Sequence, residues 1–273
     1  MKKELIKVSK EVAGVLKKLK GVDAIAVGGG IVSGYADKYS DIDIYCFCTN
    51  FPSIEERKRV LESLKLDRIK KQSNEKFNLE QDLFFYKRKA VGIDYILISY
   101  IDEKIKMIKN RGYIAPDDST VVNKLVYNIK LYDPRQLFCK YKNIIQPYVG
   151  GFRILAKYYW GELQNVNKKD DWAGGGRIST ALKRKNYLWL GYLMNIYLNW
   201  YLVCIYALND KYYHQFLTKW SFKTINDFKY KPTDCVKRLE KFSILGNKGK
   251  EFDKKLKILE NLIKDTNSLM NKL

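Results

Sequence analysis

Apolar side chains at Leu5, Val8, Val12, Val15, Leu16 and Leu19 recur at helical spacing, so residues 3–20 predict a helix that Gly21 ends. Val22 to Val27 is a short β-branched run, followed by Gly28-Gly29-Gly30 and small residues through Ser33 and Gly34, the pattern of a strand, a tight turn and a helix start. From Asp41 to Phe47 the chain alternates with a two-residue period, which puts Asp41 and Asp43 on one strand face and Ile42 and Ile44 on the other. Ser53-Ile54-Glu55-Glu56 has the spacing of a capping box and opens a helix expected to run to about Leu66. Leu83–Tyr86 and Val91–Ser99 read as two further strands about a Lys87-Arg88-Lys89 turn, and from about Ile101 helical patterning dominates. The expected fold class is therefore α+β: a mixed sheet with flanking helices, then an all-helical C-terminal domain. The switch falls between Pro134 and Gly151, dividing the chain into domains 1–145 and 146–273.

The helical half carries aromatic side chains throughout, among them Tyr158, Tyr159, Trp160, Tyr187, Trp189 and Trp200. Asn186 to Asn209 contains no charge and is long enough to span a bilayer. Asn195 and Asn199 one turn apart, and tyrosines spread through the middle rather than banded at the ends, favour a buried central helix over a membrane span. The Lys-rich tail 248–272, apolar at Phe252, Leu256, Leu259, Leu262 and Ile263, predicts a terminal amphipathic helix.

At 273 residues and 46% hydrophobic content the chain can bury a core, which excludes fibrous and disordered classes. The formal charge of +21 attracts anions such as nucleotides, RNA or acidic lipid and disfavours polycationic substrates. Abundant Ile, Asn and Tyr point to AT-rich coding, which also raises Lys content, so the charge is a weak pointer. Five scattered cysteines without C-x-x-C spacing argue against a disulfide framework and a structural zinc site, and read as buried thiols. The N-terminus lacks the uninterrupted apolar stretch of a secretory signal, so a cytoplasmic location without membrane association is expected. His214 is the one histidine, which excludes histidine triads and multi-histidine metal sites.

The chemistry concentrates between Val27 and Asp43. A glycine turn with exposed amides cradles phosphate oxygens, and it stands close to two carboxylates on one strand face. Paired carboxylates repel each other and in a basic protein are most simply held by a divalent cation; carboxylates together with phosphate oxygens suit Mg²⁺. A third carboxylate on a neighbouring strand would complete a site for two ions. Asp94 is the acidic residue inside the otherwise apolar stretch Val91 to Ile98, where an unpaired charge is costly; Asp82, at the head of the preceding strand, is the alternative.

Gly29-Gly30 followed by Ser40-Asp41-Ile42-Asp43 resembles the DNA polymerase beta-like nucleotidyltransferase superfamily, whose pattern is a glycine pair, about a dozen residues, then Asp-hydrophobic-Asp. Gly28-Gly29 is the other possible register. Gly34 with Tyr39-Ser40-Asp41 is similar to the lincosamide and related antibiotic nucleotidyltransferases. The resemblance implies that domain 1–145 is catalytic and that the helical domain completes the substrate cleft. Gly29, Gly30 and Ser40 would then hold the nucleotide's phosphates, Asp41 and Asp43 would bind Mg²⁺, and Asp94 would bind the catalytic ion and help activate an acceptor hydroxyl. Two Mg²⁺ ions and ATP or another nucleoside triphosphate are the implied cofactor and co-substrate, and the implied reaction moves AMP onto a hydroxyl of a small molecule. An antibiotic is one such acceptor, although the basic charge argues against a polycationic one. The same chemistry on an RNA end or a protein hydroxyl, and a non-catalytic nucleotide-binding module, are the alternatives.

Arg184, Lys185 and Tyr187 at the head of the uncharged helix are candidates to reach the triphosphate or base, against the reading of a solvated helix end. Gly174-Gly175-Gly176 lacks the Lys-Ser or Lys-Thr of a P-loop and reads as an inter-helix loop. The segment Asn209 to Tyr213 offers either a flat stacking surface for a base or a packed helix corner.

Overall fold

The structure, a computed structural model, describes residues 2–73, 79–115, 118–149, 152–166, 177–213 and 218–272. The glycine run 174–176 and His214 lie outside the described residues. The fold is α+β, and the chain divides into two compact units, 1–148 and 149–273.

The first unit is built on a six-stranded sheet in the order β3-β4-β5-β2-β1-β6. Its strands are β1 (Val22–Val27), β2 (Ile42–Cys48), β3 (Arg68–Ser73), β4 (Leu79–Tyr86), β5 (Lys89–Leu97) and β6 (Ile129–Tyr132). Only the central β2·β5 pair is parallel among them. Its helices are α1 (Lys2–Leu16), α2 (Gly29–Ser33), α3 (Ile54–Glu62), α4 (Ile98–Arg111), α5 (Ser119–Val126) and α6 (Leu137–Val149). Helix α1 buries Leu5, Val8, Val12 and Leu16 in one core with Ile25, Val27, Ile42, Ile44, Cys46, Val91 and Ile93 from one face of the sheet. It stops at Leu16, four residues before the expected end, and turns lead to Gly21, whose φ of +86° a β-carbon would strain. Helix α3 starts where the capping box places it, the Glu56 amide donating to Ser53 Oγ at 3.2 Å.

Two strands escaped the sequence reading. β3 and β6 are the sheet's edges. β3 is a polar, Lys-rich segment of the kind that protects an edge, and β6 is four residues long. The hairpin between β4 and β5 turns on two residues, not three: Lys87 and Arg88 both have positive φ, and Lys89 already belongs to β5. Asp67 Oδ2 accepts from the Arg88 amide at 2.8 Å and supports a turn that lacks the usual Asn-Gly.

The second unit comprises α7 (Phe152–Leu163), α8 (Arg177–Lys183), α9 (Tyr187–Leu208), α10 (Thr218–Asn226), α11 (Cys235–Ile244) and α12 (Gly249–Met270). Helix α9 is buried without interruption from Tyr201 to Leu208, so it is apolar on every side there rather than amphipathic. Among the described residues it is the one helix long and apolar enough to cross a bilayer, and half of its most apolar window is buried within the protein. Its polar side chains find partners: Asn199 Oδ1 accepts from Tyr213 at 2.8 Å, and Tyr201 bonds to Thr266 at 3.1 Å. Tyr212 packs on Phe152 and Tyr213 on Tyr206, both tyrosines buried, so the Asn209 to Tyr213 segment is a packed corner and not a stacking surface. Four of the five cysteines are buried thiols; Cys139 is exposed, against the expectation.

Candidate active site

The glycine turn is bound to β2 by close approach. The Gly28 amide donates to the Asp43 carbonyl at 2.9 Å. A β-carbon on Gly28 would lie 2.5 Å from the Tyr45 hydroxyl, and one on Gly29 would lie 2.1 Å from Asp43 Oδ2, with φ already at +60°. A side chain at either position would therefore press on β2, and at Gly29 it would also strain the backbone. Gly30 lies within α2, where its carbonyl accepts from the Ala36 amide and from Ser33 Oγ, each at 3.1 Å. Gly29→Ala is accordingly expected to cost about 1–3 kcal/mol of stability, read by thermal melting. Wild-type melting would show that the turn is not held against Asp43.

Ser40 is engaged locally. Its hydroxyl donates to Asp37 Oδ1 at 3.1 Å and accepts from the Asp37 amide at 2.9 Å, while its own amide donates to the Asp37 carbonyl at 3.1 Å. Both of its donors thus serve the 37–40 turn, and donation to a phosphate would take the hydroxyl from Asp37.

Alternation along β2 places Asp43 and Tyr45 on the face opposite the core formed by Ile42, Ile44 and Cys46, and Asp41 immediately precedes the strand. The parallel register sets Tyr45 beside Asp94 and Asp43 beside Gly92, so Asp94 shares this face. Tyr45 reports the result: burial pushes its hydroxyl far above the usual phenol range, and the charges of Asp43, Asp94 and Asp41 push it further. It remains a neutral phenol, hydrogen-bonded to the Gly29 backbone beneath the turn. Asp82 is on the other face, where it accepts from the Tyr95 hydroxyl at 2.9 Å and pairs with Arg57, so the alternative third carboxylate is directed into the core.

Asp94 is held by two residues that sequence reasoning missed. Gln81 Nε2 donates to its Oδ1 at 2.7 Å, and the Lys124 ammonium bonds its Oδ2 at 2.6 Å while lying 5.0 Å from the centre of the Tyr45 ring. Gln81 was readable in principle, because a two-residue turn at Lys87-Arg88 sets it opposite Asp94. Lys124 arrives from α5 by tertiary packing, which leaves no local signal.

The oxygen-only donor set of Asp41 and Asp43, partly exposed beside a turn of amides, fits a hard divalent cation that completes its shell with phosphate oxygens and water. The expected three-aspartate cluster is not assembled. Among the described residues no three Asp, Glu, His or Cys side chains stand close enough to hold a metal ion. Three carboxylates on one face need a counter-charge, and the Lys124 ammonium supplies it to Asp94.

Arg184, Lys185 and Tyr187 belong to the helical unit and are exposed; Asn186 caps α9 by accepting from the Trp189 amide, and Lys248 lies over the Tyr187 ring.

Residues 9–114, which include β1 to β5 and both Asp41-Ile42-Asp43 and Asp94, match the family profile of the nucleotidyltransferase domain. No curated protein matches the sequence. Among solved structures, a nucleotidyltransferase-like protein from Exiguobacterium sibiricum is similar over 92% of this chain and 72% of its own, at 9% identity and a TM-score of 0.36. The CdnC:HORMA-deltaN complex of E. coli is similar over 73% of this chain and 64% of the other, at 12% identity and a TM-score of 0.26. Spectinomycin adenyltransferase from Enterococcus faecialis, solved with ATP and spectinomycin, is similar over 99% and 97%, at 11% identity and a TM-score of 0.29.

Proposed function

The chain carries a nucleotidyltransferase domain of the DNA polymerase beta-like superfamily and is a nucleotidyltransferase, and from that premise we propose that it moves AMP from ATP, with Mg²⁺, onto a hydroxyl of a small neutral or singly charged molecule and releases pyrophosphate. The observation that carries this reading is the placement of Asp43 on β2, with Asp41 just ahead of the strand, against a glycine turn that packs closely on it. Asp41 and Asp43 would hold the cation, and the amides of the turn would bind phosphate oxygens. When bound, a divalent cation offsets the negative charge that grows on the leaving pyrophosphate. Asp94, on the neighbouring strand, would be the third carboxylate on the metal and would help orient the acceptor hydroxyl, once a contact it now makes to Gln81 or Lys124 gives way. The same proposal puts the reaction in the cytoplasm, where ATP is abundant and thiols stay reduced.

The test is incubation of the wild-type chain with each α-labelled nucleoside triphosphate, Mg²⁺ and a panel of hydroxylated small molecules and RNAs. Labelled product with equimolar pyrophosphate, ATP being preferred, is the expected result; no transfer from any nucleotide overturns the reading. The charge of +21 favours a second acceptor, an RNA end. That version requires RNA binding that weakens steeply between low and physiological salt, and absence of RNA binding removes it.

A further inference from the structure

The Lys124–Asp94 pair on the aspartate face has no role assigned above. The Asp94 side chain is only 19% exposed and that of Lys124 12%, and the Nζ to Oδ2 distance is 2.6 Å. Gln81 takes the other oxygen at 2.7 Å. Both oxygens of the third aspartate are thereby occupied, while Asp41, Asp43 and Asp94 all project their charge onto Tyr45, whose ring also carries Lys124 at 5.0 Å. Gln81 is a neutral donor and tolerates a cation nearby. Lys124 is not, because an ammonium and a divalent cation on one carboxylate oxygen repel each other in a partly desolvated site. The two are alternatives.

We propose that Lys124 is a latch on Asp94 that a divalent cation must displace, so that the three aspartates come together on a metal only after the Lys124–Asp94 ion pair opens. The inference rests on the reading of this face as the metal-binding face of a nucleotidyltransferase. It explains why the three carboxylates share a face without forming a cluster. A positively charged residue placed in this way offsets the half-buried Asp94 charge.

The test measures Mn²⁺ binding to the nucleotide-free full chain by electron paramagnetic resonance. Lys124→Met keeps the unbranched stem over Tyr45 and removes the charge; its Mn²⁺ dissociation constant is expected to fall about tenfold below the wild-type value. Lys124→Arg retains the charge and stays near wild type, and adding Asp94→Asn to Lys124→Met abolishes the gain. Mn²⁺ binding no tighter in Lys124→Met than in wild type, including none in either, overturns the latch. A measurement without any variant guards against misfolding: acylation of Lys124 in the wild-type chain, followed by mass spectrometry, should rise severalfold when saturating Mn²⁺ is added, and unchanged labelling refutes displacement. Transfer is scored separately. A chain that transfers nucleotide but binds Mn²⁺ no tighter without Lys124 refutes the latch alone, and one that gains Mn²⁺ affinity yet transfers nothing refutes the reaction alone.

Discussion

Asp43→Asn should lower nucleotidyl transfer by on the order of a thousandfold while the metal-free protein melts at the wild-type temperature or slightly above it. The two readouts separate because of where the carboxylate sits. Asparagine keeps the planar group that fills the space against Gly29, whose missing side chain leaves the gap that Asp43 Oδ2 occupies. It removes one of two negative charges on the same strand face, so repulsion with Asp41 falls in the absence of a cation. What it takes away is half of the oxygen donor set for a hard divalent ion, for which a carboxamide is a weak substitute. Asp41→Ala follows the same logic at the neighbouring position. Turnover of Asp43→Asn within tenfold of wild type, measured with labelled ATP and Mg²⁺, would remove Asp43 from the metal site. Marked unfolding of the metal-free variant would assign its carboxylate to holding the glycine turn instead.

The parts of this site that lie close together in sequence were legible there, and the parts assembled from afar were not. Alternation in Asp41 to Phe47 is a local property of an extended chain, so it placed both aspartates on one face, and the same period carries on to Tyr45. The glycine turn was readable as a turn, but the close approach of Asp43 and Tyr45 to Gly29 and Gly28 is a tertiary contact with no local signal. Asp94 stood out because a lone charge in an apolar strand needs a partner. The partners themselves, Gln81 across the hairpin and Lys124 from α5, required the register and the packing. Arg57 was hidden more thoroughly. It lies in the run Glu55-Glu56-Arg57-Lys58-Arg59, which reads as a solvated helix face, yet it is 0% exposed.

Removing Arg57 is expected to cost about 3–5 kcal/mol of stability at neutral pH and to lower the melting temperature by on the order of 10 °C, with no direct contact to the aspartate face. Arg57 crosses from α3 to the core side of the sheet, where its Nη1 lies 3.0 Å from Glu80 Oε2 and 3.6 Å from Asp82 Oδ1. Its guanidinium stands 4.9 Å from the centre of the Tyr95 ring, and Tyr95 in turn donates to Asp82. In Arg57→Met the apolar stem is retained and two carboxylates, of which Asp82 is fully buried, lose their shared cation. The pH dependence has a definite sign. Burial already raises the Glu80 carboxyl above its ordinary value, with the Asp82 charge adding to the shift and Arg57 opposing it. A carboxyl raised in the fold binds its proton more tightly there than in the unfolded chain, so stability falls as pH rises through the window between the two values. Without Arg57 the opposing influence is gone and that window moves upward. The deficit of Arg57→Met in thermal melts should therefore shrink as the pH is lowered from about 7.5 to about 5, as protons replace the guanidinium. Arg57→Lys, which keeps a charge, should lose less. A deficit below about 1 kcal/mol, or one independent of pH across that range, would mean that Glu80 and Asp82 reach water once the arginine is gone.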